Sequence, residues 1–250
     1  MKRLEYKYLV PVDKIDALRN DLSHFTGKDE YLAAHENQYT VRSIYYDTYR
    51  LHYYHEKIQG LLLRKKLRIR GYNSGNARSQ VILEIKRKWE NYIWKNRAPI
   101  LLKDVERFLD EGNLDLICTQ NNGFPEAKSA AGYFLHHVLR NNLLPTALVV
   151  YDREPLIGFF SRDLRITFDK NLRYKLFPKI EDLFVDDYLK PVMNDYFILE
   201  IKFYDGFPGW LKNAVQKYQI VRQALSKYTI CLEAERHLNM AYRRNILAFI

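Results

Sequence analysis

The stretch Leu61-Leu62-Leu63-Arg64-Lys65-Lys66-Leu67-Arg68-Ile69-Arg70-Gly71-Tyr72, then the polar, Gly-containing Asn73–Ser79, then Gln80-Val81-Ile82-Leu83-Glu84-Ile85-Lys86-Arg87-Lys88-Trp89, reads as two β-strands joined by a hairpin loop. Side chains on a strand alternate faces with period two. Lys66, Arg68 and Arg70 therefore share one face, with Leu67 and Ile69 on the other. Glu84 and Lys86 likewise oppose Leu83 and Ile85. The same alternation recurs in Glu5-Tyr6-Lys7, Arg165-Ile166-Thr167-Phe168-Asp169 and Glu200-Ile201-Lys202.

Working outward, strands are expected at Lys2–Val10, Tyr39–Asp47, Tyr92–Ala98, Thr146–Arg153, Leu164–Asp169, Leu172–Leu176 and Tyr196–Tyr204. Helical spacing predicts Val12–Phe25 with Asp13 as N-cap, Leu101–Leu109, Ser129–Leu143 with Ser129 as N-cap, Trp210–Leu225 and Leu232–Asn245. Tyr49–Gly60 reads as a helical turn or two ended by Gly60. Strands and helices come in runs, without βαβ alternation. The expected class is α+β, with an antiparallel sheet, over residues 1–250 as a single domain. About eight strands with one charged face each leave two options: an ordinary wet sheet face, or the lumen of a closed barrel.

The chain has 250 residues, 20 of them Tyr, and a formal net charge of +10. Such basicity fits an anionic partner: nucleic acid, a membrane surface or a phosphate-rich small molecule. Cys118 and Cys231 are too few for a disulfide framework or a cysteine zinc site. The charged start Met1-Lys2-Arg3-Leu4-Glu5 lacks the apolar stretch of a signal peptide, and no run approaches the ~20 apolar residues of a membrane span. A reducing, cytoplasmic setting is expected. His136 and His137 have no spaced partners for a metal site, and Trp89, Trp94 and Trp210 read as packing residues.

Several amphipathic helices need an apolar surface to cover. If they pack against the apolar strand faces, the charged faces point inward. Two like charges ~6 Å apart repel by roughly 3 kcal/mol at an effective dielectric near 20. Desolvation adds to that. A polyphosphate or nucleoside triphosphate would neutralise such a cluster through charge-assisted hydrogen bonds. Nucleic acid is disfavoured, because the aromatics interleave with the cations on the opposite strand face instead of beside them.

In these residues the chain resembles the VTC domain, the catalytic domain of the vacuolar transporter chaperone polyphosphate polymerases. More broadly it is similar to the triphosphate tunnel metalloenzyme, or CYTH-like, superfamily. The resemblance spans nearly the whole chain: Arg3-Leu4-Glu5-Tyr6-Lys7-Tyr8, Ser43-Ile44-Tyr45-Tyr46-Asp47-Thr48, the hairpin strands above, Tyr151-Asp152-Arg153, Arg165–Asp169, Leu199–Lys202 and Ser226-Lys227-Tyr228. It implies an antiparallel β tunnel with a charged lumen, helices packed outside, binding triphosphate or polyphosphate with a divalent metal. By motif it implies Lys7, Arg68, Arg70, Lys86, Arg153, Arg165, Lys202 and Lys227 as phosphate-binding cations, the first six of these acting on the reacting groups. Tyr151 and Ser226 would donate to phosphate, with Arg42 and Arg97 as further candidates. Glu200 would hold Mn²⁺ or Mg²⁺, and Glu84 would be a charge partner.

Two departures bear on activity. Tunnel triphosphatases open with Glu-x-Glu-x-Lys, and Arg3 stands here at the first Glu. The loss of that carboxylate favours transfer of the γ-phosphate of ATP to a growing inorganic polyphosphate chain. An inorganic triphosphatase and a non-catalytic polyphosphate binder are the alternatives. The family also often has a Lys two residues before Ser226, where this chain has Ala224, leaving Lys217 or Arg222 as possible substitutes. A polar face on the final helix is compatible with a membrane or a partner subunit, and the oligomeric state is open.

Overall fold

The alternating runs all form strands. The computed structural model describes residues 3–28, 37–90, 92–119, 123–204 and 206–235. In its first half are β1 (Leu4–Pro11), α1 (Ile15–Ser23), β2 (Thr26–Lys28), β3 (Tyr39–Asp47), α2 (His52–Ile58), β4 (Leu63–Tyr72), β5 (Gln80–Trp89), β6 (Tyr92–Leu101) and α3 (Val105–Glu111). There follow α4 (Ala127–Arg140), β7 (Leu144–Gly158), β8 (Arg165–Leu176), β9 (Lys190–Pro191), β10 (Tyr196–Phe203), α5 (Gly209–Lys217) and α6 (Lys227–Ala234). Every strand pair with a defined register is antiparallel, so the class is α+β as the pattern predicts.

The chain forms two compact units, each assembled from segments distant in sequence. The first gathers the described residues of Met1–Thr40, Tyr151–Leu172 and Pro191–Ser226. Its strand order is β1–β10–β8–β7, with β2 on β7. The apolar faces of β1, β8 and β10 supply Tyr8, Val10, Ile166, Phe168, Leu199 and Ile201. Leu18 and Leu22 of α1 and Leu211 and Ala214 of α5 pack on them.

The second unit gathers the described residues of Val41–Val150, Arg173–Lys190 and Lys227–Ile250. Its strand order is β7–β3–β4–β5–β6. Leu67, Ile69, Leu83, Ile85, Ala98 and Ile100 form its apolar face, covered by Val105 and Phe108 of α3 and Ala130, Ala131 and Phe134 of α4. In each unit, therefore, helices occupy the apolar face and the charged side chains lie on the other. At roughly 1.5–3 kcal/mol per fully buried large apolar side chain, this burial dominates the stability of both units.

Among the described residues the strands do not close a barrel. β1 is the edge strand of the first unit and β6 of the second. Part of each edge is covered by irregular chain: Arg222 bridges Tyr8 and Gln223 N donates to Lys7 O at 2.8 Å, while Ile117 bridges Ile100 and Cys118 N donates to Pro99 O at 2.9 Å. Covering an edge satisfies its backbone groups without closure. This also explains why the helix expected over Trp210–Leu225 stops at Lys217: Gln219 takes a positive φ of 53°, and the following residues run along β1.

Other boundaries moved for local reasons. Neither Asp13 nor Ser129 caps a helix: α1 follows a 3₁₀ turn at Val12–Lys14, and α4 starts two residues earlier, after Glu126. The final helix spans Lys227–Ala234, and the rest of the segment expected to Asn245 lies outside the described residues. Trp210 stacks on Phe25, but Trp89 and Trp94 are exposed and do not pack in the core; they stand beside the turn between β5 and β6. No helix among the described residues is long and apolar enough to cross a membrane.

Helix α6 carries a buried carboxylate. Glu233 accepts from Tyr54 Oη at 3.2 Å, its other oxygen is buried without a partner among the described residues, and burial pushes its carboxyl up to about 6. A group raised in the folded state stabilises fully below its unfolded value, near 4.5, and that contribution is lost as pH rises through about 6. Glu233→Gln should therefore raise the unfolding free energy by roughly 1–2 kcal/mol at pH 8 and leave it unchanged at pH 4. Urea unfolding at the two pH values checks this; an equal effect at both would sink it.

Candidate functional site: two cationic strand faces

On the charged face of the first unit, register places Lys7 opposite Glu200 and Glu200 opposite Thr167, while Glu5 faces Lys202 and Lys202 faces Arg165. Acid and base thus alternate along β1 and β10 and across that pair, while Lys202 and Arg165 bring two cations together across β10 and β8. Lys7 Nζ lies 3.0 Å from Glu5 Oε1 and 3.6 Å from Glu200 Oε2. Lys202 Nζ pairs with Glu200 Oε1. Burial alone would lower the Lys7 ammonium, but Glu200, Glu5 and Asp169 together raise it above the ordinary lysine value.

Arg153, from β7, grips Asp169 with Nε at 2.6 Å and Nη2 at 2.8 Å, and Nη2 lies 3.9 Å from Glu200 Oε2. Burial opposes its charge, yet Asp169, Tyr151 and Glu200 hold the guanidinium firmly protonated. Tyr151 is buried with its ring centroid 5.3 Å from the Arg153 guanidinium carbon. Glu200 thus lies against three cations from three strands. Beside it, Thr167 Oγ1 is buried and has no hydrogen-bond partner among the described residues. Ser226, at the end of this unit, is buried as well.

The second unit builds a different row. Tyr45, Arg68, Glu84 and Arg97 stand directly opposite one another on β3, β4, β5 and β6. Arg68 Nη2 pairs with Glu84 Oε1, and its Nη1 donates to Tyr45 Oη at 2.9 Å. Arg97 Nε donates to Glu84 Oε2 at 2.8 Å. Burial would raise the Glu84 carboxyl, but Arg68, Arg70 and Arg97 hold it far below the usual carboxylate range. Burial likewise pushes the Tyr45 hydroxyl up, and Arg68, Arg70 and Lys227 overcome it.

One step along the same face, Lys66, Lys86 and Lys95 face one another across β4, β5 and β6. Directly opposed like charges destabilise a sheet. Arg70 donates to Ser43 Oγ at 3.2 Å, one step the other way. Tyr228 of α6 stacks on Tyr45 with centroids 4.9 Å apart and donates to Asp47 Oδ2 at 2.7 Å. Lys66 and Lys95 belong to this face although only their neighbours Arg68 and Arg97 were candidates from sequence; the period-two spacing was the available signal.

Three candidates are placed elsewhere. Arg42 lies on the opposite face of β3 from Ser43 and Tyr45, where it holds Asp186 at 2.8 Å and the Asn73 carbonyl at 2.9 Å. Neither substitute for the cation missing at Ala224 joins the Lys7 face. Lys217 pairs with Asp21 at 2.6 Å, and Arg222 lies 3.9 Å from the ring centroid of Tyr6. Among the described residues no three His, Cys, Asp or Glu side chains gather as a metal cage. Glu200 with Glu5 instead suits a hard cation that keeps water and is completed by substrate phosphate, as Mg²⁺ commonly is.

The VTC domain family model matches residues 2–235, and the chain belongs to that family. No curated protein matches it. Among solved structures, it is similar to HpAC1 of Hippeastrum, assigned as an adenylyl cyclase and found to have a dominant triphosphatase activity, at 13% identity and a TM-score of 0.48, over 94% of this chain and 97% of that chain. It is also similar to the PH1819 protein of Pyrococcus horikoshii OT3, at 12% identity and a TM-score of 0.44, over 93% and 99%.

Proposed function

We propose that this VTC-domain protein is a polyphosphate polymerase that transfers the γ-phosphate of ATP to an inorganic polyphosphate chain. The observation that carries the reading is the surplus of cations facing one another on paired strands, above all the Lys66–Lys86–Lys95 row beside Arg68–Glu84–Arg97. A row of cations on neighbouring strands attracts an anion of high charge density, and polyphosphate offers repeated phosphates that take charge-assisted hydrogen bonds from several cations at once.

Phosphoryl transfer needs position and charge neutralisation more than covalent chemistry. In the first unit, Lys7, Arg153, Arg165 and Lys202 bind phosphate oxygens, and Thr167 with Tyr151 and Ser226 supplies hydrogen bonds. In the second, Arg68, Arg70, Lys86, Arg97 and Lys227 do the same. Glu200 would hold a Mn²⁺ or Mg²⁺ ion, which would supply charge stabilisation on the phosphate oxygens. The terminal oxygen of the phosphate chain attacks the γ-phosphorus, the bond from that phosphorus to the β-phosphate oxygen breaks, and ADP leaves with the bonding pair. The nucleophile is already anionic, so no general base is required.

Arg3, over the Tyr204 ring at 5.8 Å, supplies no carboxylate to this face. That supports transfer over hydrolysis. Purified protein given ATP and Mn²⁺ should accumulate polyphosphate and ADP in step. Orthophosphate release from tripolyphosphate without chain growth would identify a triphosphatase instead, and tight polyphosphate binding without turnover a binder.

A further inference from the structure

The hairpin that carries the phosphate-facing rows of the second unit ends in a group of exposed apolar side chains. Leu63, Trp89 and Tyr92 stand opposite one another across β4, β5 and β6 and are 56%, 55% and 56% exposed. Trp94, 48% exposed, follows on the same face, its ring 5.9 Å from that of Tyr92. Leu62, 64% exposed, precedes the row, and Ile93 projects from the opposite face. The strand ends that flank the turn therefore carry apolar side chains on both faces, with the exposed Glu90 at the turn itself. Scattered exposed apolar residues mean little, but a contiguous group of this kind marks a contact surface.

The next residues back are cations on both faces. Arg64 faces Lys88 on one, and Lys65 faces Arg87 on the other. Across 61–72 and 86–95 the only acidic residue is Glu90. The composition of the tip matters as well: Trp and Tyr concentrate where an apolar body meets a wet, polar boundary. At about 3.4 Å per strand residue, Arg64 and Lys88 stand about 3 Å behind the Leu63–Trp89–Tyr92 row, and Lys65 and Arg87, level with Trp94, about 7 Å behind it. Interfacial segments bury their apolar side chains about 5–10 Å deep, which would set these cations at headgroup level.

We propose that the β5–β6 hairpin tip, with Leu62 and Leu63, inserts into the interface of an anionic lipid bilayer, with Arg64, Lys65, Arg87 and Lys88 on the headgroups. A second copy of the chain is a poorer occupant. A twofold contact brings the same patch against itself and would oppose the two cation rings. An anionic membrane satisfies both the apolar tip and the cations, each basic residue near the surface adding about 1 kcal/mol. The inference is independent of whether the cationic strand faces transfer phosphate.

The test is co-sedimentation of the whole protein with vesicles of equal parts phosphatidylcholine and phosphatidylglycerol, and with vesicles of phosphatidylcholine alone. The protein should pellet with the anionic vesicles, with a blue shift in tryptophan emission, and remain largely in solution with the neutral ones. The double substitution Trp89→Ser/Trp94→Ser should reduce partitioning at least about tenfold, since each buried aromatic is worth more than 1 kcal/mol, with thermal unfolding unchanged. Arg64→Glu/Lys88→Glu should abolish the preference for anionic vesicles. The idea fails if neither vesicle is bound, or if the tryptophan variant binds as wild type, which would assign binding to the basic strand faces alone. It fails equally if sedimentation velocity shows a dimer that the tryptophan variant dissociates.

Discussion

Glu84→Gln should cost the protein about 3 kcal/mol of stability in phosphate-free buffer, and tripolyphosphate should restore most of it. Glu84 is buried between Arg68 and Arg97 and is their common carboxylate. Breaking a buried pair from one side typically costs about 3–5 kcal/mol, because the charge left behind has lost both water and partner. The Arg97 side chain is 42% exposed and stays partly solvated, which holds the effect to the lower part of that range. Arg68, at 14%, cannot recover in this way, and the adjoining Lys66–Lys86–Lys95 row adds repulsion. An anion at a hundred times its dissociation constant returns about 2.7 kcal/mol. The neutral glutamine also no longer competes with phosphate for the two guanidiniums.

Urea unfolding of both proteins, with and without tripolyphosphate, reads this directly. Equal stability of wild type and variant would show that Glu84 does not neutralise the row. A loss that tripolyphosphate fails to restore would remove the polyanion from this face. The pH dependence has a definite sign. The Glu84 carboxyl is depressed in the folded state, so its contribution is complete above the ordinary glutamate range and is lost as pH falls through the lower folded value. Wild type and variant should therefore converge in acid.

How far this arrangement is legible in the sequence depends on the range of the interaction. Period-two alternation is local, and it located β4, β5, β8 and β10 and assigned their charged faces. Hairpin neighbours are nearly local too: the Asn73–Ser79 loop brings Arg68 to Glu84, and the turn near Glu90-Asn91 brings Arg97 to the same row. Arg42 shows where the reading broke down. A one-residue offset from Ser43 turns it to the other face, where Asp186, distant in sequence, receives it. The end of α5 was set by hydrogen bonds from Gln223 to β1, which no helical periodicity reports. The exposed Trp89 and Trp94 were misread for the same reason: an aromatic at strand spacing is apolar by composition, but whether a helix covers it is decided by chain far away.

Glu200→Gln should lower ATP turnover about 10²- to 10³-fold while leaving phosphate binding intact, as loss of several kcal/mol of metal-assisted stabilisation implies. The two glutamates begin from similar Glu-x-Lys strands but end in different settings. Glu84 lies in a row of arginines and has no second carboxylate beside it in the register. Glu200 has Glu5 diagonally across β1, with Lys7 between them, and the unpartnered Thr167 hydroxyl on the other side. Two carboxylates bridged by a lysine could release that lysine to an incoming phosphate and would then offer a divalent cation a site whose two negative charges it neutralises. Removing the Glu200 charge should therefore abolish the response of turnover to Mn²⁺ or Mg²⁺. In EDTA it should leave tripolyphosphate affinity equal or tighter, because Lys7, Arg153 and Lys202 then lose one of the carboxylates that compete with phosphate for them, keeping Glu5 and Asp169. Calorimetric titration in EDTA beside initial rates against metal concentration separates the cases. Unchanged turnover sinks the metal role, and affinity falling in parallel with turnover would make Glu200 a structural counterion like Glu84.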